Sequence, residues 1–149
     1  MTNTIDSFRG PHDFLSNFYS TAVEYEGIKY GSSEHAYQAA KTLNMHARKI
    51  FTLPGMTPAM AKHLGQALLI RPNWDKIKLV VMNDILEAKF SCPWLRKWLL
   101  ETGDAELIEG NEWGDTFWGV CHGKGSNFLG KMLMDLRKKL AKEEASGKL

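Results

Sequence analysis

Apolar residues recur at three- and four-residue steps after Asn73, and this pattern constrains the fold more than any other stretch of the chain. The apolar residues in the pattern are Ile77, Val80, Val81, Ile85, Leu86 and Phe90. Such spacing aligns apolar side chains along one face of an α-helix. We therefore predict an amphipathic helix that begins near Asn73 and buries this face.

Local signals predict one β-hairpin and several further helices. Residues 23–25 and 28–30 alternate apolar and polar side chains on either side of Glu26-Gly27, which predicts the hairpin. Capping residues, prolines and helix breakers mark the helix ends. The further helices are predicted from Ser32 or Ser33 to the break at Leu53-Pro54-Gly55, from Thr57-Pro58 to Leu68, from Pro93 to Thr102 with Leu95, Trp98 and Leu99 facing inward, and from Asn127 onward with Leu129, Met132, Leu133, Leu136 and Leu140 on its apolar face.

The remaining stretches predict loops and an isolated strand. Residues 8–20 mix turn-forming residues with aromatics, which is typical of a structured loop, and residues 107–109 form a strand candidate. The polar tail after Glu143 is expected to fray. Since the 149 residues are 44% hydrophobic and contain no evident linker or repeat, we predict one domain over residues 1–149, with a core from about residue 8 to 142.

Charge and hydropathy exclude several classes of protein. The 19 basic and 17 acidic residues are mixed along most of the chain and give a net charge of +2, so charge alone does not indicate a nucleic-acid binder. Arg137-Lys138-Lys139 is the only basic run. No apolar run approaches the roughly 20 residues that cross a bilayer, and the first residues lack the apolar core of a secretory leader. We expect a cytoplasmic protein with reduced cysteines, no membrane contact and no obligate protein partner.

Histidine and cysteine spacing does not indicate a metal site. The five histidines and two cysteines show no Cys-x-x-Cys or His-x-x-x-His pattern that would converge on one ion. Cys121-His122 is a poor nucleophile and base pair, because adjacent side chains usually point apart. We therefore expect neither a metal nor another cofactor.

Glu34, Gln38 and Lys41 are spaced so that they lie on one side of the predicted helix that begins at Ser32 or Ser33. The opposite face offers Ala36, Ala39, Ala40 and Leu43 for close packing. The polar stripe then faces either water or a cleft. In the first case it is an ordinary solvated helix face, and in the second it is a candidate catalytic pair of a carboxylate and an amine.

The segment from Asp115 to Gly130 crowds four glycines around the start of the last helix. Glycines let a backbone approach a ligand closely, and free N–H groups at a helix start bind phosphate, although glycines also simply form turns. Large rings occur here and in other loop or helix-start positions, where they are either core residues or platforms that stack a base. These rings are Phe18, Trp74, Trp113 and Trp118.

Four motifs taken together resemble the NADAR superfamily over about residues 12 to 140. They are Phe14-Leu15-Ser16-Asn17-Phe18, Ser33-Glu34-His35-Ala36-Tyr37-Gln38-Ala39-Ala40-Lys41, Arg71-Pro72-Asn73-Trp74, and Trp118-Gly119 followed by Asn127-Phe128-Leu129-Gly130. The resemblance implies an α+β fold, mainly helical with a small β-sheet or hairpin. It also implies an N-glycosidase that acts on ADP-ribose attached to guanine bases in DNA, RNA or a nucleotide, or on ribosylamino-pyrimidine phosphates of early riboflavin synthesis.

In both kinds of substrate the ribose anomeric carbon is joined to an exocyclic amine, so the resemblance suggests roles for the catalytic residues. Lys41 would be the nucleophile that forms a Schiff base, Glu34 a general acid/base or a ligand of the ribose hydroxyls, and Asp115 an aid to proton transfer. In the alternative mechanism, water displaces the base directly through an oxocarbenium-like transition state, and the lysine only stabilises charge.

The other motif residues are implied to bind substrate. Trp74 and Trp118 would stack on the base, Arg71 and Lys124 would bind phosphate, and Asn17 with Gly123 to Gly125 would frame the ribose and phosphates. Phe18, Gln38, Gly119 and Asn127 complete the predicted substrate-binding set.

The chain departs from the family pattern after Trp118. Val120-Cys121-His122 stands where an acidic, glycine-rich stretch is expected, and the segment is one residue shorter. The missing acidic residues favour ADP-ribosylated guanine over the riboflavin intermediates. A module that binds ADP-ribose without cleaving it is the alternative from another functional class, followed by a purely structural protein.

Overall fold

The computed structural model describes residues 3–147. Helices occupy a large part of this range, and the strands are short. The helices are a 3₁₀ helix, Gly10–Leu15, and α1 Ser33–Ala39, α2 Met45–Ile50, α3 Pro58–Gln66, α4 Trp74–Lys89, α5 Pro93–Glu101 and α6 Phe128–Ala145. The strands are β1 Thr4–Ile5, β2 Val23–Tyr25, β3 Ile28–Tyr30, β4 Glu106–Leu107, β5 Gly110–Asn111 and β6 Val120–Cys121. The predicted mainly helical α+β class with small sheets is confirmed.

The chain divides into two compact units, of which one is Asn17–Ser91. Its hairpin pairs β2 with β3 in antiparallel fashion, with Val23 opposite Tyr30. At the turn, Glu26 and Gly27 both have positive φ, 47° and 85°. Two successive positive φ angles match a type I′ turn, whose twist suits two-residue hairpins. The hairpin prediction is confirmed.

The helices α3 and α4 of this unit follow their sequence signals. The Thr57 side chain accepts a hydrogen bond from the Met60 N–H, and Pro58 occupies the first turn. The helix α4 contacts β2 and α1. Its buried face includes Val81 and Ile85, whereas Val80 is 61% exposed. The inward prediction for Val80 is therefore wrong, because this residue lies about 100° around the helix from Val81 and outside the buried face.

The predicted single helix from Ser33 to the break at Leu53 is in fact two helices, α1 and α2. Local side-chain hydrogen bonds redirect the backbone between them: the Thr42 hydroxyl accepts from the Asn44 N–H, and the Asn44 side chain accepts from the Ala47 N–H. Such bonds compete with helix continuation and favour a new N-terminus. Leu43, predicted to pack inward, is consequently 60% exposed.

The second unit comprises the chain up to Ser16 and from Cys92 onward. Here β1 pairs with β4 and β5 with β6, both in parallel. Leu95 and Leu99 of α5 are buried as predicted, but Trp98 is 39% exposed and lies edge-on to Phe14. The predicted loop over residues 8–20 contains the 3₁₀ helix.

The last helix buries Leu129, Leu133, Leu136 and Leu140, as its period predicts. It ends at Ala145, and the predicted fraying of the tail falls partly on Lys148 and Leu149, outside the described residues. No helix within residues 3–147 is long and apolar enough to span a membrane. The expectation of a single domain stays a prediction.

Candidate active site

The start of α1 places Glu34 in a closed environment. Ser32 caps the helix, since its hydroxyl accepts from the His35 N–H at 3.2 Å, and the Asn17 carbonyl accepts from the Glu34 N–H at 2.9 Å. The predicted start near Ser32 is confirmed. Glu34 is only 8% exposed. The first alternative, a solvated helix face, therefore does not describe this carboxylate.

His35 fixes the same helix turn to a neighbouring loop. Its ring nitrogens lie 2.7 Å from the Ser32 hydroxyl oxygen and 2.7 Å from the Met56 carbonyl oxygen. Because a carbonyl only accepts, the Nε2 atom donates to Met56, and Nδ1 pairs with the Ser32 hydroxyl. Both ring nitrogens thus hold the helix turn that contains Glu34, a role that no sequence pattern indicates.

Buried hydrogen-bond acceptors lie on the same helix and at its start. The Gln38 amide donates to Glu34 Oε2 at 3.3 Å. Among the described residues, Gln38 Oε1 and Asn17 Oδ1 are buried side-chain acceptors without a hydrogen-bond partner. Buried polar atoms are nearly always paired, so each such atom requires an explanation. A ligand that donates hydrogen bonds, such as a sugar diol, would satisfy both.

Lys41 lies in the turn after α1 rather than within the helix. Its N–H donates to the Gln38 carbonyl, and its own carbonyl accepts from the Arg71 N–H at 2.8 Å. The first bond joins residues three positions apart, as in a 3₁₀ helix, and the second joins distant parts of the chain. Together they hold the turn. The Lys41 Nζ lies 5.7 Å from the centre of the Tyr37 ring. The stripe predicted on one continuous helix therefore ends in a turn, and Lys41 interacts electrostatically with Glu34.

Burial lowers the pKa of Lys41 from its ordinary value, against the opposing effect of the Glu34 carboxylate. The charges of Lys62 and Lys78 lower this pKa further. Desolvation disfavours the ammonium form because it removes water from the charge. A larger fraction of Lys41 is thus a neutral amine than for a solvated lysine, which is the form required of a nucleophile.

Three further predicted substrate-binding residues of this unit are the aromatic Phe18 and Trp74 and the basic Arg71. Trp74 packs on Tyr37 with ring centres 5.3 Å apart and is 7% exposed, so most of its surface is core. The Arg71 guanidinium lies 3.4 Å from the Ala40 carbonyl oxygen. Phe18 is 42% exposed, which leaves its ring accessible for stacking. The core alternative thus fits Trp74 better, and the stacking role of Trp74 stays a prediction.

Asp115 organises the glycine-rich segment of the second unit. Its Oδ1 atom accepts from the Phe117 N–H at 3.1 Å and from the Trp118 N–H at 2.9 Å. The Asn111 amide donates to the Asp115 carbonyl, and Asn111 Oδ1 accepts from the Asp115 N–H. These hydrogen bonds hold the loop from Asn111 to Trp118 in one conformation. No sequence pattern indicates this role of Asn111, and the proton-transfer role of Asp115 stays a prediction.

The glycines of this segment fit close backbone packing. A Cβ on Gly119 would lie 1.8 Å from Glu109 Oε2 and 2.1 Å from the Glu109 carbonyl oxygen. Gly123 and Gly125 have positive φ, 77° and 150°. Backbone hydrogen bonds join Cys121 and the exposed Lys124 across the turn. The turn alternative therefore explains these glycines, and their predicted contacts with substrate are not needed to account for them.

Asn127 uses its side chain within the protein. Its Oδ1 accepts from the Glu109 N–H and its Nδ2 donates to the Leu107 carbonyl, both at 2.9 Å. This buried residue therefore ties the start of α6 to the end of β4.

The predicted site residues are shared between the two units. The unit Asn17–Ser91 contains Asn17, Phe18, Glu34, Gln38, Lys41, Arg71 and Trp74. The other unit contains Asp115, Trp118, Gly119, Gly123, Lys124, Gly125 and Asn127. Within residues 3–147, no three His, Cys, Asp or Glu side chains converge where they could hold a metal ion.

Comparison with known proteins gives concordant matches. The NADAR domain model matches residues 6–141. The N-glycosidase YbiA of Escherichia coli is 37% identical over 151 residues, which cover 97% of this chain and 93% of that protein. The NMR structure of the Escherichia coli protein YbiA superimposes with a TM-score of 0.84 at 36% identity and covers 97% of this chain and 89% of that chain.

Two further relatives are similar over most of this chain. An N-glycosidase of Nostoc punctiforme is 34% identical over 136 residues, 87% of this chain and 86% of that protein. A riboflavin biosynthesis protein of Vibrio vulnificus is 36% identical over 133 residues, which cover 87% of this chain but 36% of that protein.

Proposed function

Because this chain belongs to the NADAR family, we propose that it is an N-glycosidase that removes ADP-ribose from guanine bases. The main supporting observation is the pairing of a buried carboxylate, Glu34, with a lysine whose pKa is lowered by burial, Lys41. Titratable groups shifted by burial and a charge partner are frequent at catalytic sites. The N-glycosidase activity named for the YbiA and Nostoc relatives agrees with this pair.

The chemistry of the substrate suits an amine nucleophile. When ribose is joined to an exocyclic amine, the sugar ring can open to an imine at its anomeric carbon. The lone pair of neutral Lys41 Nζ then forms a bond to that carbon, and a proton moves to the departing base amine. The carbon–nitrogen bond to guanine breaks, guanine leaves intact, and ribose remains on Lys41 as a Schiff base. Water hydrolyses the Schiff base and restores the free lysine.

Glu34 is suited to move the protons of this sequence. The carboxylate can accept a proton from the attacking lysine and return it to the leaving amine. The hydrogen bond from the Gln38 amide to Glu34 Oε2 orients the carboxylate. In the alternative mechanism, Glu34 activates a water molecule, and Lys41 stabilises charge without forming a bond.

The unpaired buried acceptors support recognition of a hydroxyl-rich ligand. Asn17 Oδ1 and Gln38 Oε1 accept from no described group. Leaving such atoms unpaired costs about 1–3 kcal/mol each. The ribose hydroxyls would supply the missing donors, so substrate binding would recover part of this cost.

A second candidate substrate follows from one relative. The similar protein of Vibrio vulnificus is named a riboflavin biosynthesis protein, and the ribosylamino-pyrimidine phosphates of that synthesis also carry ribose on an exocyclic amine. The chemistry at Lys41 would be the same. The two substrates differ in the base and in the groups attached to the ribose phosphate.

The proposal is tested with an oligonucleotide that carries ADP-ribose on guanine. Wild type, Lys41→Ala and Glu34→Gln are incubated with it, and mass spectrometry follows the release of ADP-ribose and the recovery of unmodified guanine. Lys49→Ala, on the exposed side of α2, is the matched lysine control. We expect release by wild type and by Lys49→Ala but not by Lys41→Ala.

The mechanism and the alternatives are separated by two further arms. Borohydride added during turnover should reduce the Schiff base and leave ribose on the Lys41 peptide. A Lys41 peptide without attached ribose would favour direct attack by water. Release from ribosylamino-pyrimidine phosphates alone would favour the second substrate. If wild type cleaves neither substrate but binds ADP-ribose, the protein is a binding module and the proposal is wrong.

A further inference from the structure

The region around Lys41 is depleted of acidic residues. Glu34 is the only Asp or Glu between positions 27 and 74, and the same stretch contains Lys29, Lys41, Arg48, Lys49, Lys62 and Arg71. The whole chain is nearly balanced, with a net charge of +2. The excess of positive charge is therefore local, and it lies in the segment that builds the candidate active site.

Lys62 belongs to the helix that packs directly on α1. A Cβ placed on Gly65 of α3 would lie 1.8 Å from Gln38 Oε1, so the two helices approach closely at this point. Lys62 precedes Gly65 by one helical turn and flanks the same face, because residues three apart are neighbours on a helix. It is half-buried. This position directs its chain along the face that meets α1, and its charge interacts with that of Lys41.

Lys78 lies on α4, which also contacts α1. It follows Trp74 by one turn, and the Trp74 ring packs on Tyr37, the residue whose ring lies under the Lys41 ammonium. The side chain of Lys78 is 23% exposed, whereas that of its ion-pair partner Asp75 is 92% exposed. Exposed pairs of this kind contribute little because water screens them. The charge of Lys78 interacts with that of Lys41 as well.

Lys62 and Lys78 thus each interact electrostatically with Lys41 from a different helix, and the Arg71 N–H donates to the Lys41 carbonyl. Holding like charges together in partly buried positions is unfavourable. Gln38 Oε1, which is buried and unpaired, packs against Gly65 where α1 meets α3. A ligand with negatively charged phosphate would offset the repulsion between the lysines.

We propose that Lys62 and Lys78 bind the phosphate groups attached to the ribose of the substrate and make the site selective for 5′-phosphorylated ribosyl compounds. This inference rests on the proposed function, because it assumes that Lys41 faces the ribose. Lysine is a strong phosphate ligand through its concentrated charge and three donors. Monophosphate and pyrophosphate share this chemistry, so the assignment covers both candidate substrates.

The test measures binding without turnover. Calorimetry compares ADP-ribose, ribose 5-phosphate and ribose on wild type, Lys62→Met and Lys78→Met, with Lys76→Met on the exposed side of α4 as the matched control. Methionine keeps most of the side-chain volume, and Lys62→Arg keeps the charge. Each methionine variant should bind ADP-ribose and ribose 5-phosphate about tenfold more weakly, the loss typical of a charge-assisted hydrogen bond. The methionine variants should bind ribose about as tightly as wild type does. The Lys76→Met and Lys62→Arg variants should bind all three compounds with affinities close to those of wild type.

Several results would overturn the assignment. Equal losses for ribose and for ADP-ribose would indicate a structural role of the lysines, and wild type that binds all three compounds equally would lack a phosphate site. An unmodified DNA oligonucleotide is the second arm. If the substitutions weaken its binding but not that of ADP-ribose, the lysines contact backbone phosphates and the ribosyl assignment is wrong. Wild type that binds phosphate through these lysines yet cleaves no substrate would refute the N-glycosidase proposal alone.

Discussion

A single added methyl group at Gly65 should disable the candidate site while leaving the fold largely intact. In Gly65→Ala the new Cβ would lie 1.8 Å from Gln38 Oε1, 2.7 Å from its Cδ and 3.3 Å from its Cβ. Ordinary contacts begin at about 3.4 Å, so the Gln38 amide must move by more than about 1 Å. Because Gln38 is buried, that movement breaks its hydrogen bond to Glu34.

The effects on stability and on activity should differ in size. Overpacking costs about 1–3 kcal/mol, and the lost hydrogen bond costs about 1 kcal/mol. The replacement of a helical glycine returns up to about 1 kcal/mol. A net loss of about 1–3 kcal/mol lowers the melting temperature by about 2–12 °C in a chain of this size. A displacement of about 1 Å in a positioned group, by contrast, can lower a catalytic rate about 100-fold.

The assay pairs thermal unfolding with the rate of ADP-ribose release from guanine, measured well below the melting temperature. Gly31→Ala is the matched control, since its Cβ would lie 3.7 Å from His35 Cε1, an ordinary contact. The control should keep both stability and rate. A folded Gly65→Ala variant that hydrolyses substrate at the wild-type rate would refute the reasoning, because Gln38 would then have no fixed part in the site.

Three other substitutions test separate parts of the structure. Glu34→Gln removes the carboxylate that raises the pKa of Lys41, so labelling of Lys41 by an amine-reactive reagent, followed by peptide mass spectrometry, should reach half-maximum at lower pH; an unchanged profile would contradict the pairing. Gly130→Ala would place a Cβ 2.1 Å from the Leu107 carbonyl oxygen and should cost about 3 kcal/mol in urea unfolding, so an unchanged midpoint would exclude this close approach. Asp115→Ala removes the acceptor of two N–H groups and should cost about 1–3 kcal/mol in the same assay, whereas loss of activity at unchanged stability would favour the proton-transfer role.

Sequence signals that act within a few residues predicted the corresponding structure well. Thr57 and Pro58 predict the start of α3. A hydroxyl cap accepts from a free N–H of the first turn, and proline has no N–H that would be left unpaired there. The hairpin follows from Glu26-Gly27, whose backbone adopts the turn conformation. The end of α1 was missed because part of its cause is distant in sequence: the Arg71 N–H binds the Lys41 carbonyl.

The pairing of the parallel strands could not be predicted because each contributes only two paired residues, and the strand candidate over residues 107–109 overlaps β4 only at Leu107. In β1 and β4, Thr4 faces Glu106 and Ile5 faces Leu107, and two residues are too few to establish an alternating pattern. For the candidate site, spacing identified Glu34 and Gln38, but their burial depends on the packing of α3 at Gly65. Sequence spacing did not point to Lys62 and Lys78, which we propose as phosphate ligands, because they lie on other helices and affect Lys41 through their charge.

The charged neighbours of Lys41 shift its pKa in opposite directions. In the free protein, burial, Lys62 and Lys78 lower the pKa of Lys41, and Glu34 raises it. A phosphate bound by Lys62 and Lys78 would cancel part of their charge, so binding of the substrate would itself raise the pKa of Lys41, the proposed nucleophile. The bound enzyme then needs a base to take the proton from Lys41 before attack. Glu34 is buried and accepts a hydrogen bond from Gln38, so it is suited to act as this base. The higher the pKa of Lys41 in the complex, the more the reaction depends on the Glu34 carboxylate.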